Sequence, residues 1–388
     1  YDDPSKLYYG DKYTLESEWG TMQGCSWGSF LYCLDTVDIL AQLRHDYPDL
    51  LILAIADDIY IHGPPARAAA AFNDHAELCQ QRGHVLNASK SKAYSPTGAS
   101  LQHANVQAIA AKTVNGTKVE GVQIVPPNRG LRVLGAPVGS GQFVHDYLEN
   151  KAEETERLVS QILAIATTED DDTVSAQAAL HMLRYTAVPR ASYLLRCLPP
   201  LETLDYATRH DTAVLRACSA LLGADDPLGV DSSTWTNRQW DAAAAQHGAN
   251  VTVDELRAKL QLARDQVQLP LRLGGLGLQS AVGTAPLAHL ASWADFLRLQ
   301  DQLHLGEPFD ELKVATSVAT SRNRTLEGVR EAWGLSAEAL TEPLADGTTR
   351  LGELLTAEHI DQLGDAKRGA RQQDLEHAAA KTRFDRLR

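Results

Sequence analysis

The chain has 388 residues, with 36 Lys and Arg against 50 Asp and Glu, giving a formal net charge of -14. A hydrophobic content of 44% and a charged content of 22% belong to an ordinary globular protein, and the length allows two or three domains with separate cores. No apolar run approaches the roughly 18 residues of a membrane-spanning helix, and the polar, acidic first residues do not form a signal peptide. Cys25, Cys33, Cys79, Cys197 and Cys218 are odd in number and scattered. That pattern fits reduced intracellular thiols, and no paired Cys/His spacing suggests zinc.

The excess of acid argues against a basic surface for nucleic acid, but it is unevenly spread. Residues 1–140 hold 11 Lys/Arg against 14 Asp/Glu, and the remainder holds 25 against 36. The first part is nearly neutral, and the acidity lies mostly in the second.

Gly20, Gly24 and Gly28 recur every fourth residue and lead into a helix. From Ser29 the apolar positions Phe30, Leu31, Leu34, Val37, Leu40, Ala41 and Leu43 predict an amphipathic helix to about His45, ended by Pro48. The run from Leu50 to Ile61 is apolar, stops at Asp57-Asp58, and resumes without glycine or proline. Strand formers flank the acids on both sides, so a tight β-hairpin with the two acids at its tip is expected. Pro64-Pro65 opens an alanine-rich helix to Gln81, with Gly83 as its C-terminal cap. Short strands are expected near Val85-Leu86, Val122–Val125 and Leu131–Leu134. The first part therefore reads as α+β, with helices on an antiparallel sheet.

After Val144 the pattern becomes helical. Leu148, Ala152, Thr155, Val159, Ile162 and Ala166 mark one helical face. Helices are also expected over 174–185, 190–197 and 206–222, with breaks at Pro189, at Pro199-Pro200 and at Gly223. Residues 230–300 continue as helices around the loop Pro270–Gly277. The tail from about residue 305 is charged, with helical propensity and a composition compatible with partial disorder.

Two neighbouring carboxylates repel, and the arrangement is costly unless a metal or a basic ligand sits there. The bland alternative is a solvated turn, where Asp is common. The flanking segments weigh on that choice: Gly20-Thr21-Met22-Gln23-Gly24-Cys25-Ser26-Trp27 upstream, then Asn87-Ala88-Ser89-Lys90, Leu131-Arg132-Val133-Leu134-Gly135, and Leu269-Pro270-Leu271-Arg272-Leu273-Gly274-Gly275-Leu276-Gly277. In this order and spacing, over roughly residues 8–285, they resemble reverse transcriptases of non-LTR (LINE-type) retrotransposons. The resemblance makes Gln23-Gly24 part of motif B, Asp57-Asp58 the aspartate box of motif C, Asn87 to Lys90 motif D, and Leu134-Gly135 the primer grip. Two departures stand out: Cys25-Ser26 replace the usual Asp-Pro, and Ile55 replaces an aromatic. None of Asp2, Asp3 or Asp11 has the strand context of the family's motif A. The expectation is therefore a fragment beginning after motif A and inactive by itself in primer extension.

The resemblance implies a partial right-hand palm over 1–143, a helical thumb over 144–225, a helical extension with the glycine-rich loop over 226–304, and a charged helical tail over 305–388. It implies RNA-directed DNA synthesis with Mg2+ (or Mn2+), deoxynucleoside triphosphates, an RNA template and a DNA primer, inside the cell and plausibly in the nucleus, without a membrane. Asp57 and Asp58 become metal ligands, Lys90 a catalytic partner of the leaving pyrophosphate (Lys92 a weaker candidate), Gln23 and Gly24 the support of template and incoming base, and Leu134 and Gly135 contacts to the primer. The plainer readings make Gln23 a solvated side chain, Lys90 a surface lysine and Leu134-Gly135 a turn between strands. Trp27 is expected in the core, and His181 and His210 as surface or packing residues. Rival functions are a decayed remnant that still folds, a helical nucleic-acid-binding or scaffold module without chemistry, and an RNA-directed RNA polymerase.

Overall fold

The computed structural model describes residues 5–9, 13–17, 26–111, 113–114, 117–118, 121–166, 172–223, 226–248, 250–302 and 380. The chain divides into two compact units, Tyr1–Leu131 and Arg132–Arg388. Gln23, Gly24, Asp11 and nearly all of the tail beyond residue 302 lie outside the described residues.

The first unit opens with an antiparallel ribbon of β1 (Ser5–Tyr9) and β2 (Tyr13–Ser17). Helix α1 (Gly28–Asp46) follows, with Tyr47 as its C-terminal cap, one residue before Pro48. Strands β3 (Leu51–Ile55) and β4 (Asp58–His62) form the expected hairpin. Helix α2 (Pro65–Gln81) starts on a proline, whose missing N–H costs nothing in the first turn. It ends before Gly83, whose φ of 80° suits a residue without Cβ. Next come β5 (Lys92–Tyr94), α3 (Ala104–Ala110), the short ribbon β6 (Thr113–Val114) with β7 (Thr117–Lys118), and β8 (Gln123–Val125).

Two cores meet on α2. Ile39, Leu43, Tyr47, Leu50, Ile52, Ala71 and Cys79 bury α1 and the β3–β4 hairpin against one side of it. Ala69, Leu101 and Val106, with Ala93 and Ile124, pack α3, β5 and β8 on the other. Arg67 fixes the hairpin's entry: its guanidinium lies 4.5 Å from the Tyr47 ring centroid and 2.7 Å from Asp49. The Tyr47 hydroxyl donates to Asp74, and burial together with that bond pushes the phenol up to about 12.

The antiparallel pairing expected here is present as two-stranded ribbons rather than one broad sheet, and β5 pairs with β8 in parallel. The strand expected at Val85-Leu86 is absent. Val85 is 92% exposed, and the segment has no partner strand to satisfy its backbone.

The unit boundary falls within β9 (Gly130–Val133), which pairs with β10 (Ala136–Gly139). Among the described residues the rest of the second unit is mainly helical: α4 (Gly141–Ala166), α5 (Asp172–Met182), α6 (Ser192–Cys197), α7 (Pro200–Leu221), α8 (Asn237–His247), α9 (Val253–Gln268) and α10 (Ala281–Gln302). The α4 face read from sequence is the buried one, with Leu148, Ala152, Thr155, Val159 and Ile162 all inside. The break expected at Pro199-Pro200 separates α6 from α7, but α7 starts at residue 200 rather than 206, because proline fits the first helical turn.

Between α5 and α6 the helix widens to a π turn at Leu183–Ala187 and tightens to a 3-10 turn at Val188–Ala191. Pro189 supplies no N–H there, so a regular ladder cannot run through. His210 is fully buried, and its Nε2 lies 3.1 Å from the Ala187 carbonyl, which can only accept. Asp211 caps α10 from a different helix, accepting from the Ala281 and Val282 amides at 2.6 and 3.2 Å. Arg209 joins α7 to α4 through Glu149 and Glu156 at 2.9 and 2.8 Å.

The loop between α9 and α10 is tightly fitted. Gly277 N–H donates to Leu269 O at 2.8 Å, and Arg184 Nε donates to Leu276 O at 2.8 Å. A Cβ on Gly275 would stand 2.0 Å from the Leu269 carbonyl oxygen, so only glycine fits. No helix among the described residues is long and apolar enough to cross a membrane.

Candidate active site: the acidic hairpin tip

The β3–β4 register pairs Ile55 with Asp58, which leaves Ala56 and Asp57 as the two-residue connection. Asp58 is then the first residue of β4. Hairpins this short favour primed turns, whose twist matches that of the strands. Ala56 has a φ of 52°, and Asp57 is not among the residues with positive φ. Positive then negative is the sign pattern of a type II′ turn, in which glycine is the usual first residue. An alanine there stores strain directly before the first acid.

Both acids are exposed. Along β4, Ile59 and Ile61 pack on the core beside α2. Alternation puts Asp58 and Tyr60 on the opposite face, and the Tyr60 hydroxyl donates to Asp58 Oδ2 at 3.4 Å. Neither carboxylate forms an ion pair with a Lys, Arg or His among the described residues.

Tyr32 of α1 lies within electrostatic reach of Asp57. Its hydroxyl is pushed above the usual tyrosine range first by burial, then by electrostatic repulsion from neighbours that include Asp57 and Asp35. Its ring meets His84 edge-on at 6.3 Å. His84 in turn pairs with Asp35, and Arg82 with Asp38 at 3.0 Å. Sequence reasoning did not single out Tyr32; its place among the apolar positions of α1 gave no sign of what it faces.

The donor set suits a hard divalent cation: two adjacent carboxylates, open to solvent and uncompensated among the described residues. Mg2+ keeps several waters and commonly takes one or two carboxylates plus substrate phosphates. The tip can anchor such an ion without completing its shell. Among the described residues no cluster of three or more His, Cys, Asp or Glu is assembled.

The remaining sequence-derived candidates sit elsewhere. Asn87 Oδ1 accepts from the Lys90 amide at 3.3 Å and from the Ser89 hydroxyl at 2.7 Å, capping a 3-10 turn over Ala88–Lys90. The Asn-x-x-Lys spacing thus has a local structural use. The Lys90 and Lys92 side chains are exposed and have no partner among the described residues. Leu134 and Gly135 are the two-residue turn between β9 and β10 in the second unit. Trp27, expected in the core, is 65% exposed, next to Phe30 at 5.8 Å between ring centroids. It precedes the first turn of α1, beyond the packed part of that helix. His181 is exposed, whereas His210 is a packing residue.

The fold and the site together define an α+β protein with an acidic hairpin tip in one unit and a helical second unit. Over 277 residues the chain is 24% identical to the SLACS retrotransposable element 132 kDa protein of Trypanosoma brucei gambiense, a match covering 71% of this chain. Most of the chain is thus similar to part of a retrotransposon protein. The matched part is 18% of that relative's length. No protein-family profile matches the chain, and no solved structure does.

Proposed function

We propose that the chain is part of a retroelement reverse transcriptase, in which Asp57 and Asp58 hold the divalent cation for nucleotidyl transfer from deoxynucleoside triphosphates, with an RNA template and a DNA primer. The observation that carries this reading is the hairpin tip: two adjacent exposed carboxylates without a cationic partner among the described residues, behind a strained Ala56. When bound, the cation would supply screening of phosphate charge and activation of the primer hydroxyl. Asp57 and Asp58 supply oxygen ligands. Lys90, exposed and unpaired among the described residues, supplies a mobile positive charge suited to a leaving pyrophosphate. Gln23 and Gly24 would support the template and the incoming base, and Leu134-Gly135 the primer. The similarity to a retrotransposon protein supports the same reading.

A second reading, a decayed or purely binding module without chemistry, draws on one observation: no third acid joins Asp57 and Asp58 among the described residues.

The two readings separate in a ternary-complex assay. The chain is mixed with an RNA–DNA hybrid whose DNA primer is recessed and chain-terminated, in Mg2+. The template-matched deoxynucleotide is expected to tighten hybrid binding, the mismatched ones are not, and Asp57→Asn is expected to abolish the difference. Binding that ignores the matched nucleotide would overturn the polymerase reading in favour of the binding module.

A further inference from the structure

The turn between β9 and β10 is the second strained hairpin of the chain. Its two residues, Leu134 and Gly135, have φ of 48° and 94°. Two positive values define a type I′ turn, whose first position favours Asn, Asp or Gly. Leucine has no side-chain group to offset the steric cost of that region. Leu134 is nevertheless present, and its side chain is 44% exposed rather than buried. Core packing therefore does not account for a leucine at this position.

The turn is held by two phenols from two helices. Tyr193 of α6 donates its hydroxyl to the Leu134 carbonyl at 2.5 Å, and Tyr147 of α4 donates to the Gly135 carbonyl at 2.8 Å. The Tyr193 ring also lies under the turn: a Cβ on Gly135 would stand 3.4 Å from its Cε1. Successive carbonyls are thus drawn toward the helices, and strain of this kind persists where its surroundings over-determine it. Two residues before the turn, Arg132 is exposed and has no ion-pair partner among the described residues. An apolar tip beside a free guanidinium matches the alternation of ribose and phosphate along a nucleic-acid strand.

We infer that Tyr147 and Tyr193 are positioning residues: their hydroxyls lock the Leu134-Gly135 turn so that Leu134, with Arg132 beside it, bears on the sugar–phosphate backbone of the strand. This rests on the reading of the chain as a handler of RNA–DNA hybrids. The phenols touch no substrate themselves; they act through the turn.

The test uses the full chain, a fluorescein-labelled RNA–DNA hybrid with a recessed DNA 3′ end, and a single-stranded RNA of equal length. Tyr147→Phe/Tyr193→Phe keeps both rings and removes both hydrogen bonds. It is expected to weaken hybrid binding about tenfold, the scale of two lost net hydrogen bonds. Single-strand binding is expected to stay as in wild type, and the thermal midpoint to fall only by the few degrees that two lost internal hydrogen bonds imply. Leu134→Ala is expected to give the same loss, and adding it to the double variant to give no further loss, since all three changes act through one contact. A merely structural role would lower both affinities together. Additive losses, parallel losses on both probes, or unchanged hybrid binding each overturn the inference. Wild type that binds neither probe would instead overturn the underlying reading, and the inference with it.

Discussion

Replacing Ala56 by glycine tests the geometry that aims Asp57. Alanine in the left-handed region pays roughly 1–2 kcal/mol relative to its preferred conformations, and Ala56 has a φ of 52°. Glycine escapes that penalty but loses more backbone freedom on folding, roughly 0.5–1 kcal/mol. The balance favours Ala56→Gly by about 0.5 kcal/mol. In an ordinary extended strand the same change would destabilise by roughly 0.5–1 kcal/mol, so the sign decides. Native-state hydrogen exchange at the β3–β4 amides reads the local opening directly. Protection is expected to rise about twofold, the equivalent of that gain. The pair Ile55–Asp58 flanks the loop and is the place to look. Reduced protection would refute the strained turn, and with it the argument that the backbone holds Asp57 in place.

Further outcomes follow from the packing. Gly275→Ala puts a Cβ 2.0 Å from the Leu269 carbonyl oxygen; refitting the loop sacrifices two or three of its backbone bonds, so urea denaturation should show a loss of about 2–3 kcal/mol, and a loss below 1 would mean the loop adapts freely. Asp211→Ala removes the acceptor of the Ala281 and Val282 amides and should cost about 1–2 kcal/mol in the same assay; no loss would mean that α10 is capped by other means. Burial holds His75 and His289 below the usual value of 6.5. The unfolded chain therefore takes up these protons first as the pH falls, so this stability is fully present above about pH 6.5 and declines below it. The thermal midpoint should drop from pH 7 to pH 5.5, with a shallower drop in His75→Gln; a flat profile in wild type would contradict the linkage.

The parts of the fold readable in the sequence are those fixed by local pattern. Strand formers around Asp57-Asp58 gave the hairpin, and the apolar spacing from Leu148 to Ile162 gave the buried face of α4. The parts that escaped depend on distant partners. Lys92–Tyr94 is too short to announce a strand, and becomes one by pairing in parallel with Gln123–Val125, where a strand was expected. Val85-Leu86 has strand-forming residues but no partner, so it is not a strand. Pro199-Pro200 can end one helix or begin the next, and here it does both, separating α6 from α7 and opening α7 at residue 200. At the candidate site the acids were legible because their charge interrupts an apolar run. Tyr32, Tyr147 and Tyr193 were not, because a tyrosine's role depends on which carbonyl or carboxylate its hydroxyl meets.

The central claim is that the hairpin tip is a cation site formed by Asp57 and Asp58. Calorimetric titration of the full chain with Mn2+, comparing wild type, Asp57→Asn and His181→Ala, tests it most directly. Removing one of two carboxylate ligands should weaken Mn2+ binding by at least about tenfold. His181 lies exposed in the helical unit, away from the tip's own sequence, and His181→Ala should leave the affinity unchanged. Equal Mn2+ affinity in wild type and Asp57→Asn would contradict the account.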